Sequence, residues 1–330
     1  IWIAVAGFLL SSQSDMALQE VRWRFLAIVE LIMFMALFVN VELIRLAKQA
    51  IAVAVLFGVA TNIYELFVPL SFSRVLGRSA GLYVDPNIAG EALVLGMIFS
   101  VTVLPAWLRG PFVLLVGIGV LLTISRGAIV GWGIAVMGFI LVGRINVKDF
   151  LLPVSLSFLL GAIVLAPQLD QTLTSLERSG VINKDMMERL DWFTNPSGVE
   201  DYSSWERKYL LAQAWEKTAE HPFFGTGTGS HRTEGMGVHN QYLAFMRDHG
   251  LLGAAILPLL ILAVTWGTQG QTRGVAMVFG CTAIVLSFFT HTVLNQPHTL
   301  MMFALMAAMR WTSRDSEMVR KQAMAASETG

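Results

Sequence analysis

Arg74, Arg78 and Arg126 stand at the ends of apolar runs, and Arg207 stands in the polar segment that follows them. A guanidinium forks onto phosphate oxygens, so arginines placed there can hold an anionic ligand at a membrane surface. Snorkelling to the interface is the other reading of the first three. For Arg207 the other reading is a salt bridge to Glu206 or Glu200. His239 opens the string His239-Asn240-Gln241-Tyr242-Leu243, just ahead of an apolar run. A helix N-terminus disfavours imidazolium, so His239 is expected to be neutral near pH 7, as a general base must be. A capping or packing role is the second reading. Asp85-Pro86-Asn87 has turn chemistry, with Asn87 a good N-cap type. Glu91, one turn further, is a carboxylate in an apolar helix; such acids are functional by default, and Arg78 or Arg126 is its expected partner.

Other chemistries find no pattern here. The sequence has no HExxH and no Gly-x-Ser-x-Gly elbow. His221, His231, His249, His291 and His298 have no metal-site spacing, so no metal is expected. Gly225-Thr226-Gly227-Thr228-Gly229 invites a phosphate-loop reading, but no Lys-Ser/Thr follows it; a flexible turn is expected instead. Cys281 is the only cysteine, which excludes a disulfide within the chain.

The elements that must position these residues are membrane helices. The 330-residue chain is 55% apolar and only 14% charged, with mean hydropathy +0.62. Ordinary soluble domains carry roughly a quarter charged residues, and disordered chains pair low hydrophobicity with high net charge. Basic and acidic residues balance at 23 each, without the basic excess of a nucleic-acid binder. A bilayer core of about 30 Å needs about 20 mostly apolar residues per helix. Candidate spans are 1–11 (partial), 22–40, 49–68, 87–107, 111–124, 127–143, 150–166, 248–267, 274–292 and 296–311. The expected fold is therefore an all-α polytopic membrane helix bundle of about ten visible spans. The opening run is expected to be the tail of a longer helix. Ser125-Arg126-Gly127 must reverse the chain within very few residues.

A polar segment, 167–247, interrupts the spans and holds eleven of the 23 acidic residues and three of the six histidines. Ser203 and Glu206 have capping-box spacing, predicting a helix that runs to about Glu220 before His221-Pro222. Four regions are expected: N-terminal membrane helices (1–166), an outer loop (167–247), C-terminal membrane helices (248–311) and an inner tail (312–330). Ten basic residues flank the spans on the side of the tail, against Arg22, Arg24, Arg74, Arg78, Arg126 and Arg247 opposite. That asymmetry puts the tail in the cytoplasm and the loop outside.

In this order the motifs resemble the bacterial O-antigen ligase and O-antigen polymerase superfamily of membrane glycosyltransferases. The pieces are Arg78-Ser-Ala-Gly-Leu-Tyr-Val-Asp-Pro-Asn87, Ser125-Arg126-Gly127-Ala128, Trp205-Glu-Arg207, His221-Pro-Phe-Phe-Gly-Thr-Gly227 and His239-Asn240-Gln-Tyr242-Leu243. The ligases are the nearer branch. The resemblance implies about twelve spans in a full chain, the bacterial inner membrane, and catalysis at its periplasmic face without cofactor or metal. It implies an undecaprenyl-diphosphate-linked glycan as donor, and as acceptor a lipid A-core sugar hydroxyl or, for a polymerase, a second lipid-linked glycan. Arg126 and Arg207 match the arginines taken to bind the diphosphate. His239 matches the histidine taken to activate the acceptor. Arg78, Asn87, Glu91, Asn240 and Tyr242 are the further substrate-binding candidates.

The chemistry agrees with that implication. Diphosphate leaves readily if fixed cations meet its developing charge, and a base on the acceptor side permits single-step inversion. A retaining two-carboxylate hydrolase fits less well. A protein O-oligosaccharyltransferase is a third branch of the same chemistry. A lipid-linked sugar transporter would be expected to show internal repeats, and only Glu30, Glu42, Glu65 and Glu91 lie in or near spans.

Overall fold

A computed structural model describes residues 2–9, 11, 13–148, 202–232 and 240–328. Among these residues ten α-helices occur and no strand: α1 (Trp2–Leu9), α2 (Asp15–Leu37), α3 (Val41–Phe67), α4 (Pro86–Ser100), α5 (Ala106–Leu122), α6 (Arg126–Leu141), α7 (Tyr202–Glu220), α8 (Gln241–Thr265), α9 (Gly270–Leu286) and α10 (Pro297–Glu328). Two of them, α3 and α8, are long and apolar enough to cross a membrane; α4, α5, α6 and α9 are shorter apolar helices. The chain divides into two compact units, Lys48–Trp205 and a second made of Ile1–Ala47 with Glu206–Gly330.

In the first unit α4 is the core. All its residues but Asn87 and Ile88 are buried, as expected of a helix apolar on every side. Helices α5 and α6 pack on it. Its start differs from expectation. Asp85, not Asn87, is the N-cap: its carboxylate accepts from the backbone N–H of Asn87 at 2.7 Å and of Ile88 at 3.3 Å. A proline at the first helical position suits a cap immediately before it. The helix also ends at Ser100, short of 107, because Pro105 opens α5. Helix α5 then takes in Arg109, which reaches the carbonyls of Leu104 (3.1 Å) and Arg144 (3.2 Å).

The reversal from α5 to α6 uses three residues. Thr123 donates to the Val120 carbonyl at 2.7 Å and accepts from the Ser125 N–H at 3.2 Å. Ile124 takes a left-handed φ of 48° between them. The turn's polar groups are thus served by its own chain, as a turn in an apolar setting requires.

In the second unit α2 lies along α10, and α8 packs on both α9 and α10. Helix α9 stops at Leu286 rather than 292, and α10 continues past Trp311 where a tail was expected. The predicted span 150–166 lies outside the described residues. The predicted span 248–267 is part of a longer helix that starts at Gln241 and breaks at Gly250, with φ 62° and ψ −150°. At the break the Leu251 N–H bonds to the Pro222 carbonyl at 2.8 Å instead of to its own helix. A side chain at position 250 would run into the Phe223 carbonyl group.

The glycine-threonine run is not a loose turn. Thr226 and Gly227 donate their N–H groups to the carbonyls of Arg247 (2.8 Å) and Asp248 (3.1 Å). Gly225 lies against the Asp248–His249 backbone, with room for no side chain and a φ of 69°. The Asp248 side chain, fully buried, gathers the rest. It accepts from the N–H of Gly229 (3.1 Å) and of His231 (3.2 Å), from the Ser230 hydroxyl (3.1 Å), from the His231 ring (3.0 Å) and from Arg24 of α2. Glu20, also buried, accepts from Arg24 at 3.3 Å and from Arg232 at 2.8 Å. Arg24 and Arg232 lie over the rings of Phe245 and Trp23 at 5.2 and 4.8 Å. The network ties α2, the loop and α8 into one body.

Removing one partner of a buried ion pair leaves an uncompensated charge and costs about 3–5 kcal/mol. Asp248→Ala strands several loop donors and leaves Arg24 the Glu20 carboxylate, which Arg232 shares. Thermal unfolding of the purified protein in detergent is expected to show the largest fall in midpoint for this variant, with Glu216→Ala on exposed helical surface unchanged.

Candidate functional site

Glu65, near the end of α3, is the organising acid of the first unit. One carboxylate oxygen accepts from the N–H groups of Phe72 (3.0 Å) and Ser73, the other from those of Ala80 (2.8 Å) and Gly81 (3.2 Å). One buried side chain thereby folds the connection that carries Arg78. Ser79 next to it donates its N–H to the Leu122 carbonyl (2.9 Å) and its hydroxyl to the Asn62 carbonyl (3.0 Å).

Arg78 is 7% exposed and lies across the α5–α6 reversal. Its Nε donates to the Thr123 carbonyl at 2.9 Å, and its Nη2 donates to Asn87 Oδ1 at 2.9 Å. Two sequence candidates, Arg78 and Asn87, are thus joined directly. Arg126, also 7% exposed, begins α6 three residues beyond that carbonyl. Helix α4 passes the reversal at Gly90, where a Cβ would stand 2.5 Å from that of Ala128 and 3.1 Å from the Thr123 hydroxyl. Glu91 follows at once and is 3% exposed.

Two guanidiniums therefore flank one short reversal, at a helix N-terminus whose own dipole is positive. A cation gains nothing from that dipole, whereas an anion does. A buried acid of the same unit, Glu91, is one residue from the packing contact.

The remaining candidates belong to the other unit. Arg207 is in the first half of α7, on the predicted helix. His239 lies outside the described residues. Asn240 is the N-cap of α8, with Oδ1 accepting from the Leu243 N–H at 3.1 Å. Tyr242 donates its hydroxyl to the Ile284 carbonyl at 3.1 Å and packs its ring on Phe288 at 4.6 Å. Gln241 fixes the same end, with its N–H on the Ser287 carbonyl (2.9 Å) and its side chain accepting from Val293 at 3.1 Å. Cap, ring and amide together set where the chain enters α8, directly after His239.

Sequence reading missed the roles of Glu65, Asp248 and Arg24. Asp248 had a signal: Arg247-Asp248-His249 is a charged triplet at the edge of an apolar run. Glu20, His231 and Asp248 also bring ligand atoms within 4.8 Å of one another. Arg24 and Arg232 already supply the positive charge these acids need, which makes the cluster an ion-pair network.

Residues 111–258 match the sequence model of a family described as O-antigen ligase. No curated protein matches the chain. The matched stretch includes Arg126, Arg207, His239, Asn240 and Tyr242 and leaves out Arg78, Asn87 and Glu91. The match supports a glycosyltransferase-like activity and a membrane setting, to which the apolar α3 and α8 are suited. Residues 111–258 are thus similar to an O-antigen ligase domain, which supports the superfamily that the sequence motifs resemble.

Proposed function

We propose that the protein is an inverting, metal-independent glycosyltransferase of the inner membrane. It transfers a glycan from undecaprenyl diphosphate to a sugar hydroxyl of the lipid A core, with segment 167–247 in the periplasm. The observation that carries this reading is the O-antigen ligase match spanning both diphosphate arginines and the histidine. Arg126, with Arg78 at the same reversal, meets the diphosphate, and Arg207 is the second arginine that the resemblance assigns to it. His239 takes the proton of the acceptor hydroxyl as it attacks the anomeric carbon. The C–O bond to diphosphate breaks in the same step, and the charge that develops is received by fixed cations. Asn240 and Tyr242 support the base by fixing the start of α8. A polymerase would run the same step with a second lipid-linked glycan as acceptor.

Topology is tested by Glu216→Cys on exposed surface of α7, in a Cys281→Ser background because Cys281 is exposed. A membrane-impermeant thiol reagent is expected to label it in whole cells with a permeabilised outer membrane. Labelling only after lysis would invert the topology and remove the mechanism.

Arg126→Ala and Arg207→Ala are each expected to lower transfer by about 10²–10³, the cost of one lost donor to a developing charge. Arg207→Lys should be poor as well, since an ammonium cannot make the paired contact. Normal transfer by Arg207→Ala would return this residue to a surface salt bridge. Lipopolysaccharide from a deletion strain should carry core without the added glycan; a loss confined to chain length would favour the polymerase.

His239→Gln keeps size and hydrogen bonding but cannot accept a proton. It is expected to be nearly as slow as His239→Ala, down about 10²–10⁴ at saturating donor, with donor binding little changed. Recovery of most of the rate in the Gln variant would assign His239 to orientation alone.

A further inference from the structure

Within the second unit a cavity of about 320 Å³ opens between the α1–α2 connection, the end of α7, the glycine-threonine loop and α8. Polar and apolar atoms share its wall, and among the described residues Ala17 is the one apolar side chain lining it. The volume is at the low end of the roughly 300–1,000 Å³ of ligand pockets, which suits one small polar group rather than an extended oligosaccharide.

The wall offers two kinds of contact. Its hydroxyls direct their protons into the protein: Ser11 donates to the Phe8 carbonyl (2.8 Å), Thr228 to the Ala4 carbonyl (2.6 Å), Thr226 to Ser230 (2.7 Å) and Ser230 to Asp248 (3.1 Å). A hydroxyl with its proton so engaged presents lone pairs, so it accepts from an occupant. The donors are cationic. Lys217 of α7 and Arg247 of α8 line the cavity, and Arg247 is only 5% exposed. Among the described residues Glu220 is the one carboxylate on the wall, and His221 sits on the same rim. The complementary ligand gives hydroxyl protons to the wall oxygens and an anionic group to the two cations.

We propose that this cavity binds one anionic sugar, phosphorylated or carboxylated, held through its charge by Lys217 and Arg247 and through its hydroxyls by Thr226, Thr228 and Ser11. That this sugar belongs to a substrate glycan rests on the transferase reading above; the binding itself does not. The arrangement is rigid, since the same hydroxyls and Asp248 fix the loop. Such preorganisation favours discrimination between sugars with and without the charge.

The test is titration of the full chain in detergent with glucose 6-phosphate, galacturonic acid, glucose and inorganic phosphate, read by calorimetry or ligand-observed NMR. Saturable binding of at least one anionic sugar is expected, with glucose much weaker. Losing one charge-assisted hydrogen bond should weaken the anionic sugar about tenfold to a hundredfold in Lys217→Gln and in Arg247→Gln. Lys217 is only half-buried on a helix, so its variant remains informative if Arg247→Gln misfolds. Which anionic sugar binds distinguishes phosphate from carboxylate recognition. The proposal is overturned if neither anionic sugar binds at about 10 mM, if glucose binds equally, if inorganic phosphate alone binds as tightly, or if Lys217→Gln leaves binding unchanged. Transfer activity is assayed separately: binding without transfer would sink the enzyme reading and keep the site, and transfer without binding would do the reverse.

Discussion

Asp248 has no contact with solvent, and its two oxygens take donors from α2 and from the loop. A carboxylate removed from water is tolerable only when every lone pair is answered and its charge is met. Arg24 meets the charge, and the Gly229–His231 stretch answers the lone pairs. Because glycine amides supply part of the coordination, the loop must approach closer than any side chain would allow. The position of α7's end and the polar cavity beside it follow from that approach. So does the break at Gly250, where α8 gives up an internal hydrogen bond to receive Pro222.

The first unit repeats the device with a different acid. Glu65 binds four backbone amides of one irregular connection and thereby delivers Arg78 to the carbonyl of Thr123. In both units an acid buried near apolar helices does the work of a short sheet, satisfying backbone donors that lipid could not. Arg78 is then placed by backbone contacts.

Helices were readable wherever apolar stretch and terminator coincided. The helix ending at Glu220 was announced by Ser203, Glu206 and His221-Pro222, and α6 by the tight Ser125-Arg126-Gly127 reversal. Boundaries failed where a proline or a side chain redirected the chain locally: Pro105 separates α4 from α5, and Asp85 outcompetes Asn87 as cap. The break at Gly250 was illegible because its cause, the Pro222 carbonyl, is far away in sequence. The candidate site divides in the same way. Arg78, Arg126, Arg207 and His239 are candidates by type and motif. Glu65 and Asp248 were not, because their partners are mainly backbone amides, and no residue type marks an amide in need of an acceptor.

The Asp248 network also dictates an order of events during synthesis. Arg24 meets an acid 224 residues later in the chain, and Glu20 meets Arg232 after 212. Contacts so distant in sequence form late. While the ribosome is still adding α3 to α7, α2 already carries two charges without their eventual partners. The i,i+4 bond between Glu20 and Arg24 is the one neutralising contact available to it from the start. That local pair acts as a placeholder, keeping the nascent helix tolerable at the membrane until the C-terminal third arrives and claims the arginine.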